Sequence, residues 1–487
     1  MAGRWIRRTF YAASALVLGV ALLAIAALVA LGIPRNAAGM AAKGICSAAF
    51  VAQRALPHLL AEEVLPASPV LSAIAVSVDQ PGRSVTARFA GLFARRATYL
   101  AQRGCVLDLD PSSAQAQAAA PAATAAPASA ASAATDPARP WPQGQASVPA
   151  DQWGAGVDIR GLQQLVQDAF VGAGDPHAAN ARAVAIVHKG RLLVLRTAPG
   201  FDAFTPLHGW SMTKTVLGML SYKLAAETGL SFDTPVVDAF PAQRAPAWLA
   251  AWRSDARKNI KVSDLLFMRD GLASTEDYDP WGSVPQMLWG QSDAAAYAAA
   301  AKPEAAAGQR WRYLSATASL MAAVDRARLP SDADYWAYPA RALFDPIGAR
   351  SAVLETDHAG NWVGSSYLWA SAGDWARFGQ LMLNDGRWGD QQVVPPGWLK
   401  LASSRSTASA GGSGYGAMTW RIGDPLDGEC KGYGLPADTL AMSGHWGQIV
   451  AMVPSRDAVI VRLGWTFRHN QFDSCAFVAA ALKVLPH

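Results

Sequence analysis

Trp210-Ser211-Met212-Thr213-Lys214 opens an apolar-periodic stretch that runs to Glu227 and stops at Gly229. Met212, Val216, Leu217, Leu220 and Leu224 recur at near-helical spacing, which predicts a helix carrying Ser211 and Lys214 on one face, a turn apart. A serine hydroxyl is a poor nucleophile until a base takes its proton, and a lysine is that base only when burial or nearby positive charge lowers its pKa. The apolar neighbours of Lys214 provide such burial, and a helix N-terminus favours negative charge developing at Ser211. A lone Ser-x-x-Lys equally fits a helix cap beside a solvated lysine, so its meaning depends on what accompanies it.

Two later segments accompany it. Arg312-Tyr313-Leu314-Ser315 follows a turn at Gly308, and Ser443-Gly444-His445-Trp446-Gly447-Gln448 leads into the apolar run 449–453. In order and separation the three segments resemble the signatures of the penicillin-recognising serine hydrolases: class C β-lactamases, D-alanyl-D-alanine peptidases, related esterases and 6-aminohexanoate-dimer (nylon oligomer) hydrolases, the last being the nearest match. The likeness extends from about Ala183 to Gly464. Residues 182–195 read as two strands around a Lys189-Gly190 turn. Residues 262–272 resemble the family's helix ending in a Gly-Leu corner, and Glu276-Asp277-Tyr278 stands where nylon oligomer hydrolases carry a mobile loop whose tyrosine closes on substrate. Residues 363–369 and 374–379 are similar to further family segments.

The resemblance implies an α/β (α+β) fold of the β-lactamase/transpeptidase type, an antiparallel sheet flanked by helices plus an all-helical region. Strand-like runs near both ends of this region, at 183–197 and 449–464, with helical patterns between, agree with that layering. The roles implied are Ser211 as nucleophile, Lys214 as its base and Tyr313 as proton shuttle. The backbone N–H groups of Ser211 and Gln448 would form the oxyanion hole, and Gly447 would let substrate lie close. Tyr278, Ser315, His445 and Trp446 would surround the substrate. Ser315 stands where many relatives have Asn, and His445-Trp446 where β-lactamases have Lys and a hydroxyl residue. These departures point to a small linear amide or ester, cleaved through an acyl-enzyme. The alternatives are a periplasmic D,D-peptidase or β-lactamase, and a non-catalytic cell-wall-binding adaptor on the same fold.

Other motifs are informative by absence. Neither Cys-x-x-Cys nor His-Glu-x-x-His occurs, so no metal is implied, and Gly-x-Ser-x-Gly is missing, which argues against an α/β-hydrolase. Residues 412–417 imitate a dinucleotide fingerprint without the βαβ context, so no cofactor is expected. The 487 residues are 51% hydrophobic and 16% charged, enough for one large domain plus attachments. The net charge of +5 includes no basic block longer than Arg7-Arg8 or Arg95-Arg96, so nucleic acid is not an expected partner. Oligomeric state is left open.

Residues 10–33 carry no charge and follow Arg4, Arg7 and Arg8. That pattern predicts an N-terminal transmembrane helix with the hydrolase exported: a single-pass inner-membrane protein whose catalytic domain lies in the periplasm. The alternative is a cleaved signal peptide, although its apolar core is usually only about 7–15 residues. Export permits cystines. Of three connectivities the simplest joins Cys46 to Cys105 and Cys430 to Cys475, with four buried thiols as the alternative. From Asp108 the chain turns rich in Ala, Pro, Ser and Gln and predicts a tether without a core. The expected organisation is an anchor over 1–35, a small cystine-closed segment over 36–107, a linker over 108–152 and the hydrolase domain over 153–487.

Overall fold

The computed structural model describes residues 2–109, 139–408 and 414–486. Helix α1 (Ala2–Ala30) leads through a left-handed Gly32 (φ 74°) into α2 (Ile33–Cys46), which opens with Pro34 in its first turn. A four-stranded meander follows: β1 (Ile74–Asp79), β2 (Ser84–Phe89), β3 (Phe93–Leu100) and β4 (Gly104–Asp108), paired antiparallel in chain order. Helix α2 packs on this sheet, and Cys46 and Cys105 form a cystine between the end of α2 and β4.

This segment is sealed against the rest of the chain by buried charges. Lys43 of α2 is 3.2 Å from Glu355, whose carboxylate also accepts from Ser47 Oγ (2.8 Å) and the Cys105 N–H (2.9 Å). Glu63 pairs with Arg182 at 2.9 Å and with Arg54. Removing one partner of such a pair strands a buried charge, typically a loss of about 3–5 kcal/mol.

The tether expectation fails over 139–152; residues 110–138 lie outside the described set. Trp141 is buried, Gln145 donates to Ser371 Oγ (3.2 Å), and Arg377 donates to the Pro142 carbonyl (2.8 Å). Composition averaged over the whole Ala/Pro-rich stretch hides these anchoring side chains.

Helix α3 (Ile159–Ala169) precedes the hairpin of β5 (Ala181–His188) and β6 (Arg191–Thr197). Its two-residue turn places Lys189 at φ 49° and Gly190 at φ 70°, the left-handed pair a tight hairpin needs. A short β7 (Leu207–His208) leads to a 3-10 turn, Trp210–Met212, and to α4 (Thr213–Thr228), closed by left-handed Gly229. Ser211 therefore sits on the 3-10 turn rather than on the predicted α-helix, still three residues before Lys214. After several short helices between residues 249 and 299 come α5 (Ser315–Arg328) and, past a further helix over Asp332–Pro339, β8 (Val353–Leu354), β9 (Leu368–Ala370) and α6 (Ala372–Leu383). A two-residue ribbon, β10 (Arg387–Trp388) with β11 (Gln391–Gln392), precedes β12 (Leu440–Gly444), β13 (Gln448–Val453), β14 (Ala458–Gly464) and α7 (Ser474–Val484).

The main sheet runs β12-β13-β14-β5-β6, all antiparallel. Every residue of β5, β13 and β14 is buried because both faces are covered. Val184, Ile186, Ala451 and Ile460 face Leu162, Val166, Val478 and Ala481 of α3 and α7. Ala185, Val187, Val459 and Val461 face the other way, into the core that holds Trp375 and Phe378 of α6. The period-two alternation thus separates two apolar cores rather than core from solvent. The Cys430–Cys475 cystine ties α7 to the loop before β12. Strand β12, the edge of this sheet, has no signal in the sequence beyond the Ser443-Gly444 that ends it.

Among the described residues, which leave out the side chains of 1–9, Ala12, Ala21, Leu22, Ala24 and Ile25, no helix is long and apolar enough to cross a membrane. The apolar run is also divided: its last residue, Ile33, is 4% exposed and belongs to α2.

Candidate active site

The site forms where the edge of the main sheet meets the start of α4; β12 and β13 both contact the Trp210–Met212 turn. Gly444, at the end of β12, has no room for a side chain, since a Cβ there would fall on the Gly209 carbonyl oxygen. Lys214, 1% exposed, donates to Ser211 Oγ (3.0 Å), Ser315 Oγ (3.1 Å) and the Ser365 carbonyl (3.0 Å). All three ammonium donors thus end on uncharged oxygens. Burial brings the Lys214 pKa down to about 8, and the charge of Glu276 works against that shift.

Glu276 reaches the lysine through Ser315, accepting from the Ser315 N–H (2.6 Å) and hydroxyl (2.7 Å). The polar end of the site is therefore a line: carboxylate, serine, lysine, serine. Tyr313 lies alongside, its ring 4.7 Å from the Lys214 ammonium and packed on Trp420 (4.9 Å) and Tyr415 (5.7 Å). Its hydroxyl is held well above the ordinary phenol range by burial and by the Glu276 charge, with Ser211 as a hydrogen-bond partner that opposes the rise. The Tyr278 hydroxyl is raised in the same way, with Ser211 and Ser315 as its opposing partners.

The other end is aromatic. His445 stacks flat on Tyr278 at 4.4 Å and meets the edge of Trp210 at 5.2 Å. Trp446, in the left-handed region at φ 61°, contacts Trp210 (5.0 Å), Trp465 (4.9 Å) and Phe467 (4.7 Å). Beneath Trp210 lies His208, stacked on Trp369 at 4.7 Å and bonded to the Ser366 carbonyl at 2.8 Å. Burial drives its pKa down to about 3, so it is a neutral packing group. Ser211 itself is only 9% exposed.

Ser211, Lys214, Tyr313, Ser315, Tyr278 and His445 converge as the sequence led one to expect, with Trp446 next to them. Gln448 opens β13, and its side chain braces the turn by donating to the carbonyls of His445 (3.1 Å), Trp446 (3.1 Å) and Gly464. Gly447 has a second reason for being glycine beside the one inferred from sequence. It adopts φ 80°, and a Cβ there would meet the Arg462 guanidinium at 2.7 Å, so the missing side chain makes room for Arg462.

The reading from sequence missed Glu276, Ser365, His208 and Trp465. Glu276 carried a signal, its place two residues before Tyr278; Ser365 lies within the family-like segment 363–369 and His208 three residues before Ser211, while Trp465 is joined to the site only by the fold. Among the described residues no group of His, Cys, Asp and Glu is arranged to hold a metal ion. A groove of about 980 Å³ lies apart from this cluster, with Arg54, Arg83, Tyr99, Asp345, Arg350 and Trp388 on its walls, and none of the predicted site residues lines it.

Fold and site together define a serine hydrolase. The beta-lactamase family model matches residues 166–482, and the chain belongs to that family. It is similar to a proposed beta-lactamase from Bacteroides dorei DSM 17855 (TM-score 0.54, 16% identity, covering 67% of this chain and 99% of that one). It is also similar to a proposed 6-aminohexanoate-dimer hydrolase from Bacillus anthracis (TM-score 0.51, 20% identity, 67% and 83%). A third similar structure is EstCE1, a hydrolase with promiscuous acyltransferase activity (TM-score 0.50, 15% identity, 67% and 97%). At these identities the likeness is one of fold. No curated protein matches the chain.

Proposed function

We propose that the protein hydrolyses a small linear amide or ester through an acyl-enzyme on Ser211, in the manner of a 6-aminohexanoate-dimer hydrolase. Neutral Lys214 takes the Ser211 proton as Oγ attacks the carbonyl carbon, and the oxyanion is held by the N–H groups of Ser211 and Gln448. Tyr313 carries the proton to the leaving amine or alcohol, and water then releases the acid. The observation that carries this reading is the 3.0 Å contact between Ser211 Oγ and a buried lysine whose pKa is lowered to about 8. Tyr278, with Ser211 as a hydrogen-bond partner, stacks on His445, which supports a lid that opens for a slender substrate.

The preference for linear substrates follows from the third segment. A carboxylate-bearing β-lactam or D-alanyl peptide would meet a stacked imidazole and an indole instead of an ammonium and a hydroxyl. A charge-assisted contact worth roughly 1.5–3 kcal/mol is then missing. A fluorophosphonate probe should label Ser211 and no residue in Ser211→Ala, with p-nitrophenyl esters or 6-aminohexanoate dimer turned over faster than nitrocefin. Absence of labelling would favour the adaptor alternative, and efficient nitrocefin or D-alanine release would favour the peptidase and β-lactamase alternative.

The proposal includes the location: α1 as a single-pass inner-membrane anchor with the hydrolase in the periplasm. Its 29 residues extend about 43 Å against a hydrocarbon core of roughly 30 Å. Phe10, Tyr11, Leu16, Val17, Leu18, Val20, Leu23 and Leu28 are each at least 46% exposed. The two cystines support an oxidising compartment.

A further inference from the structure

The segment that carries Glu276 and Tyr278 is fastened to the point where α1 leaves the folded domain. Gln286, a few residues beyond Tyr278, donates to the Leu31 carbonyl at 2.7 Å. Asn36 of α2 donates to the Pro280 carbonyl at 3.5 Å. Gly39 of α2 lies so close to Trp289 that a Cβ would sit 2.9 Å from its carbonyl oxygen. Across this junction exposure changes abruptly: Leu28 and Leu31 are 46% exposed, whereas Ile33, two residues on, is buried. The surface beside it is amphipathic. Trp281, between Tyr278 and Gln286, is 53% exposed, and Arg35 is exposed in the first turn of α2.

We infer that this face of the hydrolase lies on the bilayer surface and that the site draws an amphiphilic ester or amide from it. The inference rests on the proposed anchor and on the proposed hydrolysis at Ser211. If α1 spans the membrane, Leu31 is at its outer boundary, and the 2.7 Å bond holds Gln286 there too. The active-site loop then has little freedom to leave the headgroup layer. An exposed indole and an exposed arginine at this junction suit that layer, the ring at the interface and the guanidinium on phosphate. Inside, the rings of Trp210, Tyr278, Trp446 and Phe467 pack into one aromatic cluster beside Ser211, apolar surroundings that suit an acyl or alkyl chain better than a charged peptide.

The test uses the full chain in mixed phosphatidylethanolamine and phosphatidylglycerol vesicles. Trp281→Cys and Val171→Cys, the latter exposed at the end of α3 away from the junction, are each labelled with an environment-sensitive dye and titrated with lipids spin-labelled at the headgroup. Quenching at 281 well above that at 171 is expected. A p-nitrophenyl ester of a long acyl chain, carried in the same vesicles, should be hydrolysed at a rate set by its mole fraction in the bilayer. Flotation separates the layers of the argument. A chain that is stripped from vesicles at alkaline pH overturns the anchor and this inference together. A chain that floats yet quenches equally at both positions, or follows bulk rather than surface concentration of ester, overturns this inference alone and leaves the anchor standing. Fluorophosphonate labelling of Ser211 in the same vesicles reports separately on the hydrolase.

Discussion

At the Lys214 end of the site the contacts are polar and directional, while at the His445–Trp446 end they are ring against ring. Lys214 has one acceptor for each of its three protons; Trp446 touches four aromatic neighbours, and no single one of them fixes its place. The contrast separates two demands on a hydrolase. Moving a proton requires atoms held to a few tenths of an ångström, whereas choosing a substrate requires shape and the presence or absence of charge.

Removing the polar end should have the largest effect. Lys214→Ala should lower kcat for an activated ester by about 10^4-fold, the upper end of what a positioned general base contributes. A variant within tenfold of the parent would dissolve the distinction between the two ends, since catalysis would then be a property of the pocket as a whole. The aromatic end should change selectivity instead. His445→Lys, which restores an ammonium where the carboxylate of a β-lactam would lie, should raise the ratio of nitrocefin to linear-ester kcat/KM by about tenfold. An unchanged ratio, with the ester rate intact, would mean that the stack on Tyr278 rather than charge governs selection.

The smallest effect concerns coupling along the polar line. A base works only when neutral, so kcat/KM should fall about tenfold per pH unit below a Lys214 pKa of about 8. The negative charge of Glu276 holds that pKa up, so Glu276→Gln should move the acid limb to lower pH while keeping an acceptor for Ser315. A limb that stays in place or moves upward would remove Glu276 from the line.

What could be read in the sequence was what is local. The Lys189-Gly190 hairpin, the helix closed by Gly229 and the Ser211–Lys214 spacing are set within a few residues, and the cystine pairs follow from proximity along the chain. Tyr313, Ser315, His445 and Trp446 were found through the resemblance of three separated segments. The remainder depends on contacts that no local pattern encodes. Lys43 meets Glu355 across most of the chain, Gln145 and Trp141 pin a stretch whose composition suggests slack, and His208 owes its neutrality to burial among the rings of Trp210, Tyr367, Trp369 and Trp465. Gly447 shows the limit most plainly, because a glycine flags a crowded backbone without saying what crowds it.

Gly444 bears on how such an enzyme could be altered. With the Gly209 carbonyl occupying the place of a Cβ, the edge strand and the nucleophile turn are separated by backbone thickness alone. Any larger residue at 444 would act as a wedge, prising the strand from the serine before it could touch a substrate. That wall of the cleft is a fixed jaw. Adjustment for bulkier or thinner substrates is left to the opposite jaw, the loop bearing Tyr278, whose hold on the protein includes the bonds at Pro280 and Gln286. Variation aimed at new substrates should therefore be directed at 278–285, sparing Glu276, and kept away from the strand.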